Sequence, residues 1–408
     1  MNQNPPMNHP LRRRNVLIAA SAGALAPLAR AQGGADWSRI EAAARGQTVY
    51  FNAWGGSERI NAYLQWAAAE LAQRHGVKLR HVKIGDAAEV VKRVRAEKAG
   101  GRTADGSTDL VWINGENFLA MKREGLLFGP WGEKLPSYAK VDTAGKPTTR
   151  IDFSEPVEGM EAPWGMAQLT FFADSARVPV LPTSLAELLD WAKKNPGRFT
   201  YPKPPEFHGT TFLKQVLIEA GADRKALYAP HSADAFARTT SSLWATLDTL
   251  HPALWKQGAQ FPANTAVMRQ MLADGELAIS LTFNPNEAAN QIAAKSLPAS
   301  VVSYQHRAGT IGNTHFLAIP FNARAKQAAQ VAANFLLSPL AQARKADIRH
   351  WGDPTVLALD KLSAADRALF TGAAAPGQVS QPAPVLPEPH GSWVDPIERE
   401  WTRRYGQG

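Results

Sequence analysis

Four groups of polar and aromatic residues stand directly after apolar runs. Asn52, Trp54, Gly55, Gly56 and Ser57 follow Thr48-Val49-Tyr50-Phe51. Asp86 follows the alternating run Lys78–Ile84, and Asn114, Glu116 and Asn117 follow Leu110-Val111-Trp112-Ile113. Phe283 closes the run that begins at Leu277, with Asn284 and Glu287 just beyond it. Amides, a hydroxyl and carboxylates beside aromatic rings suit binding: the rings cover a ligand and the polar groups orient it. They suit covalent chemistry poorly. The chain has no GxSxG and no HExxH, and with no cysteine it has no thiol nucleophile. His306 and His315 match no common zinc spacing, and no carboxylate pair is singled out for glycoside hydrolysis. GxGxxG and GxxxxGK[ST] are absent, so a nucleotide loop is not expected. The expectation is a protein that is not an enzyme and needs no cofactor or metal. An exported α/β hydrolase or transferase is the alternative, weakened by the missing nucleophile motif.

Strands and helices must present these groups. Thr48–Phe51 reads as a strand, Gly55-Gly56 as a turn, and Ser57 as a cap for a helix with Ile60, Leu64, Ala67, Ala68 and Leu71 at helical spacing. Lys78–Ile84 is a second strand, 87–98 a helix, 99–109 a flexible loop and Leu110–Ile113 a buried strand. Strand–helix alternation argues for a parallel α/β sheet, whose ligands sit beyond the carboxyl ends of the strands. Later segments continue the pattern, and a helix pair breaks at Ser338-Pro339. Residues 372–389 are rich in Pro and Ala and read as an extended wrap before a short amphipathic helix.

Several candidates have plainer readings. Gly55-Gly56 could be a tight turn and nothing more. Trp54 and Trp164 are two of twelve tryptophans, most of which must pack in cores. Trp54, placed after a complete strand and before two glycines, is expected in a cleft; Trp164, before Gly165, stands at even odds. Asn114 can cap a helix with Glu116 beside its dipole, and still contact a ligand. Asn313 and His315 lie in a late strand, where a lone His is usually structural.

The length of 408 residues favours two lobes. Residues 1–31 combine arginines, an apolar run too short to span a membrane, and Ala29-Arg30-Ala31, which together read as an export signal. Arg13-Arg14 permits either twin-arginine or general export. Without Arg12, Arg13, Arg14 and Arg30 the formal charge falls from +9 to +5. Lys92, Arg93, Arg95 and Lys98 read as a solvated helix face, so no nucleic-acid partner is expected.

The order of "DLVWINGENFLAMKREGLL", "EAPWGMAQLTFFADSARV", "PTSLAELLDWAKKNPGRFTYP", "DGELAISLTF" and "NTHFLAIPFNARAKQAAQVAANFLLSPLAQARKA" resembles the family 1 extracellular solute-binding proteins of bacterial ABC importers, near the thiamine, iron and polyamine binders. The resemblance covers nearly the whole mature chain. It implies a type II periplasmic binding protein: two α/β lobes, a hinge, and an inter-lobe cleft. It places the first lobe at 46–165, the second at 166–308, and the return to the first lobe with a C-terminal wrap at 309–400. It also implies a periplasmic monomer that takes a small-molecule ligand to an ABC permease in the inner membrane. Candidate cleft residues are Asn52, Trp54, Gly55, Gly56, Ser57, Asp86, Asn114, Glu116, Asn117, Trp164, Gln168, Phe283, Asn284 and Asn313. The iron binders use paired tyrosines, and none of the seven tyrosines here is adjacent to another. Asp86, Glu116, Glu287 and Glu58 outnumber Arg59 in the candidate loops, and a full carboxylate outweighs a helix end of about half a charge. A cationic or neutral polar ligand is expected.

Overall fold

The computed structural model describes residues 36–370 and 375–406, with Met1, Asn2 and Gly372. The export signal lies, but for its first two residues, outside the described residues.

Helix α1 (36–44) leads into β1 (Thr48–Trp54), α2 (Glu58–His75), β2 (Lys78–Ile84), α3 (Ala88–Ala99), β3 (Leu110–Ile113) and α4 (Gly115–Arg123). β1 pairs in parallel with both β2 and β3. Gly76, with φ of 66°, ends α2 in the left-handed conformation that glycine adopts freely. A hairpin of β4 (Ile151–Asp152) and β5 (Glu155–Pro156) precedes β6 (Glu161–Gln168) and β7 (Thr170–Asp174). Then come α5 (Leu185–Lys194), α6 (Phe207–Glu219), α7 (Arg224–Leu227), α8 (Ala233–Leu250), α9 (Thr265–Ala273), β8 (Ile279–Thr282), α10 (Glu287–Ala293), β9 (Val301–Tyr304) and β10 (Thr310–Ala318). α11 (Lys326–Leu336) and α12 (Pro339–Ala346) are split by Ser338, whose hydroxyl accepts from Ala341 N–H. α13 (Ala364–Ala368), β11 (Val385–Leu386) and α14 (Val394–Tyr405) close the chain.

Side chains alternate across a strand, so the larger sheet has two faces. Val49, Phe51 and Ala53 of β1 and Leu317 of β10 pack with α2 and α11 on one face. Val111 and Ile113 of β3 and Phe316 of β10 pack with α3 and α4 on the other. A second lobe has its own core around the antiparallel sheet β8-β7-β9, with Phe171, Phe172, Leu213, Leu247 and Leu281 buried together.

Two strands tie the lobes. β6 and β10 pair antiparallel from Glu161↔Ala318 to Gln168↔Gly312. Just beyond the last pair, Leu169 donates to Ile311 O at 2.8 Å, and the chain enters β7. The register shifts between His315 and Phe316, leaving Trp164 as the extra residue of a bulge.

The tail departs from the expectation that 309–400 return to the first lobe. Leu386, Trp393, Ile397 and Trp401 are buried in the second lobe's core. Ile397 and Trp401, four apart on α14, make an apolar stripe that needs a partner. Trp401 Nε1 donates to Tyr201 Oη at 2.8 Å and packs on Phe261. Trp401→Ala is expected to cost about 3–5 kcal/mol in urea unfolding of the mature chain. A loss below about 1 kcal/mol, the size of a surface effect, would mean that α14 is peripheral.

Candidate functional site

Lys214 lies in the middle of α6 and is almost wholly buried. Its Nζ pairs with Glu388 of the tail at 2.7 Å and lies 4.3 Å from the centre of the Phe153 ring. Phe153 and Ser154, with φ of 42° and 64°, form the tip of the β4–β5 hairpin of the first lobe. Left-handed backbone costs a non-glycine residue about 1–2 kcal/mol. Here it puts the phenyl ring beneath an ammonium from the other lobe. Asp152, just before the tip, accepts from Gly115 N–H at 2.7 Å. That bond satisfies an N–H at the start of α4. Asn114 occupies the cap position without bonding a helix N–H, and so does Ser57 before α2.

Carboxylates crowd this junction. Glu116 is half-buried beside the backbone of Gly391, and Asn117 Nδ2 donates to it at 3.2 Å. Burial pushes its carboxyl up to about 7; Lys214 pulls it down, and Glu398 and Asp86 add to the rise. Glu398 of α14 accepts from Thr210 Oγ1 at 2.6 Å, yet burial also pushes it up to about 7. Burial drives Asp152 and Glu161 well above the usual range, and neither oxygen of Glu161 has a hydrogen-bond partner among the described residues. Carboxyls from both lobes thus raise one another across the seam, and a cation placed among them would relieve that repulsion.

The opposite edge of the seam is held by side-chain donors to backbone carbonyls, with no carboxylate among these bonds. Asn284 and Asn290 of the second lobe donate to Trp351 O, and Asn286 donates to Gly352 O at 2.6 Å. Arg59 Nη2 of α2 donates to Asn290 O at 2.9 Å. The segment receiving these bonds is anchored below by Asp353, which ion-pairs with the buried Lys345 and lies 2.8 Å from His315 Nε2. Trp112, Trp164 and Trp351 enclose the group. Burial raises Asp353, but Lys345 and His315 outweigh it and hold the carboxyl below its usual range; burial lowers Lys345. A Cβ on Gly165 would collide with Asp353, Lys345 and His315, so the bulged strand carries glycine there.

The sequence candidates divide accordingly. Glu116 and Asn117 stand at the charged edge, with Asp86 exposed nearby and Asn114 half-buried. Trp54 is 37% exposed at the end of β1, with its indole packed over Gly56. Gly55 N–H is bonded to Ile84 O. Asn284 bridges to Trp351, and Phe283 packs edge-on to Phe207. Gln168 donates to Ala383 O and Pro384 O of the tail, and Asn313 donates to Glu388 at 3.1 Å. Two expectations are corrected. Asn52 is buried, accepts from Arg93 at 2.5 Å and donates to Tyr50 O, so it braces α3. Trp164 is fully buried because the bulge turns its indole into the first lobe's core, against Phe51 and Trp112. Sequence reading missed Lys214 and Glu398. A lysine inside the apolar run "TTFLKQVLIEAG" is a usable signal; Glu398 on a polar helix gives none.

The profile of the bacterial extracellular solute-binding proteins matches residues 66–368. The chain belongs to that family. Protein YnjB of Escherichia coli (strain K12) is 48% identical over 387 residues, covering 94% of this chain and 97% of that one. The fold is that of periplasmic binding proteins. AfuA from Actinobacillus pleuropneumoniae, solved with fructose-6-phosphate, superposes with a TM-score of 0.61 at 14% identity, over 89% of this chain and 99% of that one. An ABC transporter substrate-binding protein from Bradyrhizobium japonicum gives 0.61 at 18% identity, over 88% and 98%. The spermidine/putrescine binding protein PotD from Streptococcus pneumoniae gives 0.55 at 13% identity, over 88% and 96%. Among the described residues no helix is long and apolar enough to cross a membrane, and no cluster of three or more His, Cys, Asp or Glu could hold a metal.

The Asp353 group yields a stability prediction. Asp353→Asn leaves the buried Lys345 without its counter-charge and should cost about 3–5 kcal/mol in urea unfolding, with Lys345→Met/Asp353→Leu recovering much of it. Because the folded Asp353 pKa is depressed, its contribution is present at neutral pH and is lost as pH falls through the folded value. An Asp353→Asn variant as stable as the native protein at pH 7 would show that the charge on Lys345 is not held there.

Proposed function

We propose that the protein is exported to the periplasm, captures a small polar or cationic solute between its lobes, and delivers it to an ABC permease in the inner membrane. It acts as a monomer, without a cofactor and without altering its ligand. Family membership supports solute binding as such. The preference for a cation rests on one observation, the gathering of acids at one edge of the seam. Glu116 stands against the Gly391 backbone of the tail, Asp152 lies at the start of the same helix, and Glu398 of the second lobe is held by Thr210. Burial and then neighbouring acids raise Glu116 and Glu398 to about 7. The ligand shell we propose is Glu116, Asn117, Asn114, Asp86 and Trp54 from the first lobe, with Glu398 and Phe283 from the second. Trp54 adds an accessible indole face for cation–π attraction.

A thermal-shift panel of amines, vitamins, polyols and oxyanions, including spermidine, putrescine and fructose-6-phosphate, tests this. Cations should raise the melting temperature, and the rise should grow with pH through about 7 as the two acids ionise. Glu116→Gln should flatten that dependence and weaken binding about tenfold, the loss of one charge-assisted contact. In the ligand-free protein the sign reverses. A carboxyl raised on folding stabilises below its unfolded pKa of about 4.3, and that contribution is lost as pH rises through the folded value. The native melting temperature should therefore fall more than that of Glu116→Gln between about pH 5 and 8. Stabilisation by oxyanions alone, undiminished in Glu116→Gln, would falsify the cation reading.

A further inference from the structure

A cavity of about 380 Å³ lies against α2, on the sheet face opposite α4 and Glu116. Its walls include Glu58, Arg59 and Tyr63 of α2, Arg344 of α12, and Arg349 and His350. Three guanidinium groups thus share a space with one carboxylate. Two of them are occupied. Arg59 donates to Ile348 O, Arg349 O and Asn290 O, and Arg349 ion-pairs with Asp347 at 2.6 Å. Arg344 is the exception. Its guanidinium lies 4.6 Å from the centre of the Trp66 ring, its Nε is buried without a partner, and no hydrogen bond or ion pair reaches it from the described residues. Glu58 lines the same cavity, yet no ion pair joins it to any of the three arginines among the described residues. His350 is held below its ordinary range by burial and then by Arg344, so the arginine's charge is felt within the cavity.

A guanidinium carries five N–H donors; of those on Arg344, the buried Nε–H is the one left unmet, which is costly. Held 4.6 Å from an indole ring, a guanidinium in the cavity wall can offer its planar fork to two oxygens of one anion. The first turn of α2 adds the positive end of a helix whose cap residue, Ser57, makes no side-chain bond to it. We propose that this cavity is a second ligand site, separate from the inter-lobe one, which takes a small molecule bearing a carboxylate or phosphate group on Arg344. Arg59, in its wall, also holds Asn290 of the other lobe, so an anion here sits beside a contact that links the lobes.

The test is calorimetric titration of the full mature chain in chloride-free buffer, with inorganic phosphate in one arm and succinate in the other. At least one should bind saturably, and the Arg344 Nε–Hε resonance should shift along the same isotherm. Arg344→Gln should weaken binding about tenfold, the loss of a charge-assisted hydrogen bond. If that variant unfolds, Arg344→Lys keeps the charge but loses the fork and should still weaken binding several-fold. Absence of saturable binding in both arms overturns the site. Binding that leaves the Arg344 resonance unmoved, or that the folded variant retains in full, overturns it too.

Discussion

The pairing of β6 with β10 is the constraint on which the rest depends. Both strands belong to the first lobe's sheet, and both continue into the second lobe at the same end, through β7 and β9. Ladder hydrogen bonds fix where each strand leaves the sheet, so the two crossings stay side by side. Rotation about them is the motion that remains, a hinge defined by a few residues that absorb backbone change. The bulge at Trp164 belongs to the same device. It turns a large ring into the core and leaves Gly165 over Asp353, where a side chain would not fit.

The two edges of the seam are held by different physics. On the α4 side a buried lysine from one lobe meets a ring and carboxylates of the other. On the α2 side asparagine side chains donate to backbone carbonyls. Neutral bonds of this kind contribute only about 0.5–1.5 kcal/mol each, because water replaces them when the lobes part. Buried charges are less forgiving: separating a pair costs more than the pair contributes. Lys214 avoids that cost by keeping its direct partner, Glu388, on the tail, which is packed in the same lobe as α6. Parting the lobes removes Phe153 and Glu116 from the lysine but need not leave it unpaired.

Much of the architecture is legible in sequence. The α/β alternation follows from apolar runs whose period switches between two and 3.6, the two lobes from chain length and the family resemblance, and Ser338-Pro339 splits its helix pair as read. The loops at strand ends are also where Glu116 and Asn117 are found. Individual side chains are harder to read. Asn52 has the chemistry of a ligand contact, but Arg93 is forty-one residues away in sequence and nothing local announces their bond. Trp164 depends on a bulge, which adds one residue without changing composition. The tail's place in the second lobe draws on Tyr201, about two hundred residues upstream, whose hydroxyl oxygen accepts from Trp401 Nε1–H.

The tail also alters how the hinge must work. β11 pairs with β10 at Thr310 and Ile311, and Gln168 of β6 bonds the carbonyls of Ala383 and Pro384. A third segment therefore crosses at the level of the two strands and then joins the second lobe through α14. Three connections at one level restrict twisting more than two would, while bending about their common line stays possible. Polar contacts among Asn284, Asn286, Asn290 and Arg59 then bridge the lobes beside the crossing strands, where Gln168 N–H donates to Phe283 O and Met166 N–H to Pro354 O. A solute that adds a few contacts between the lobes would act on this balance without having to reshape either core, since each lobe buries its own.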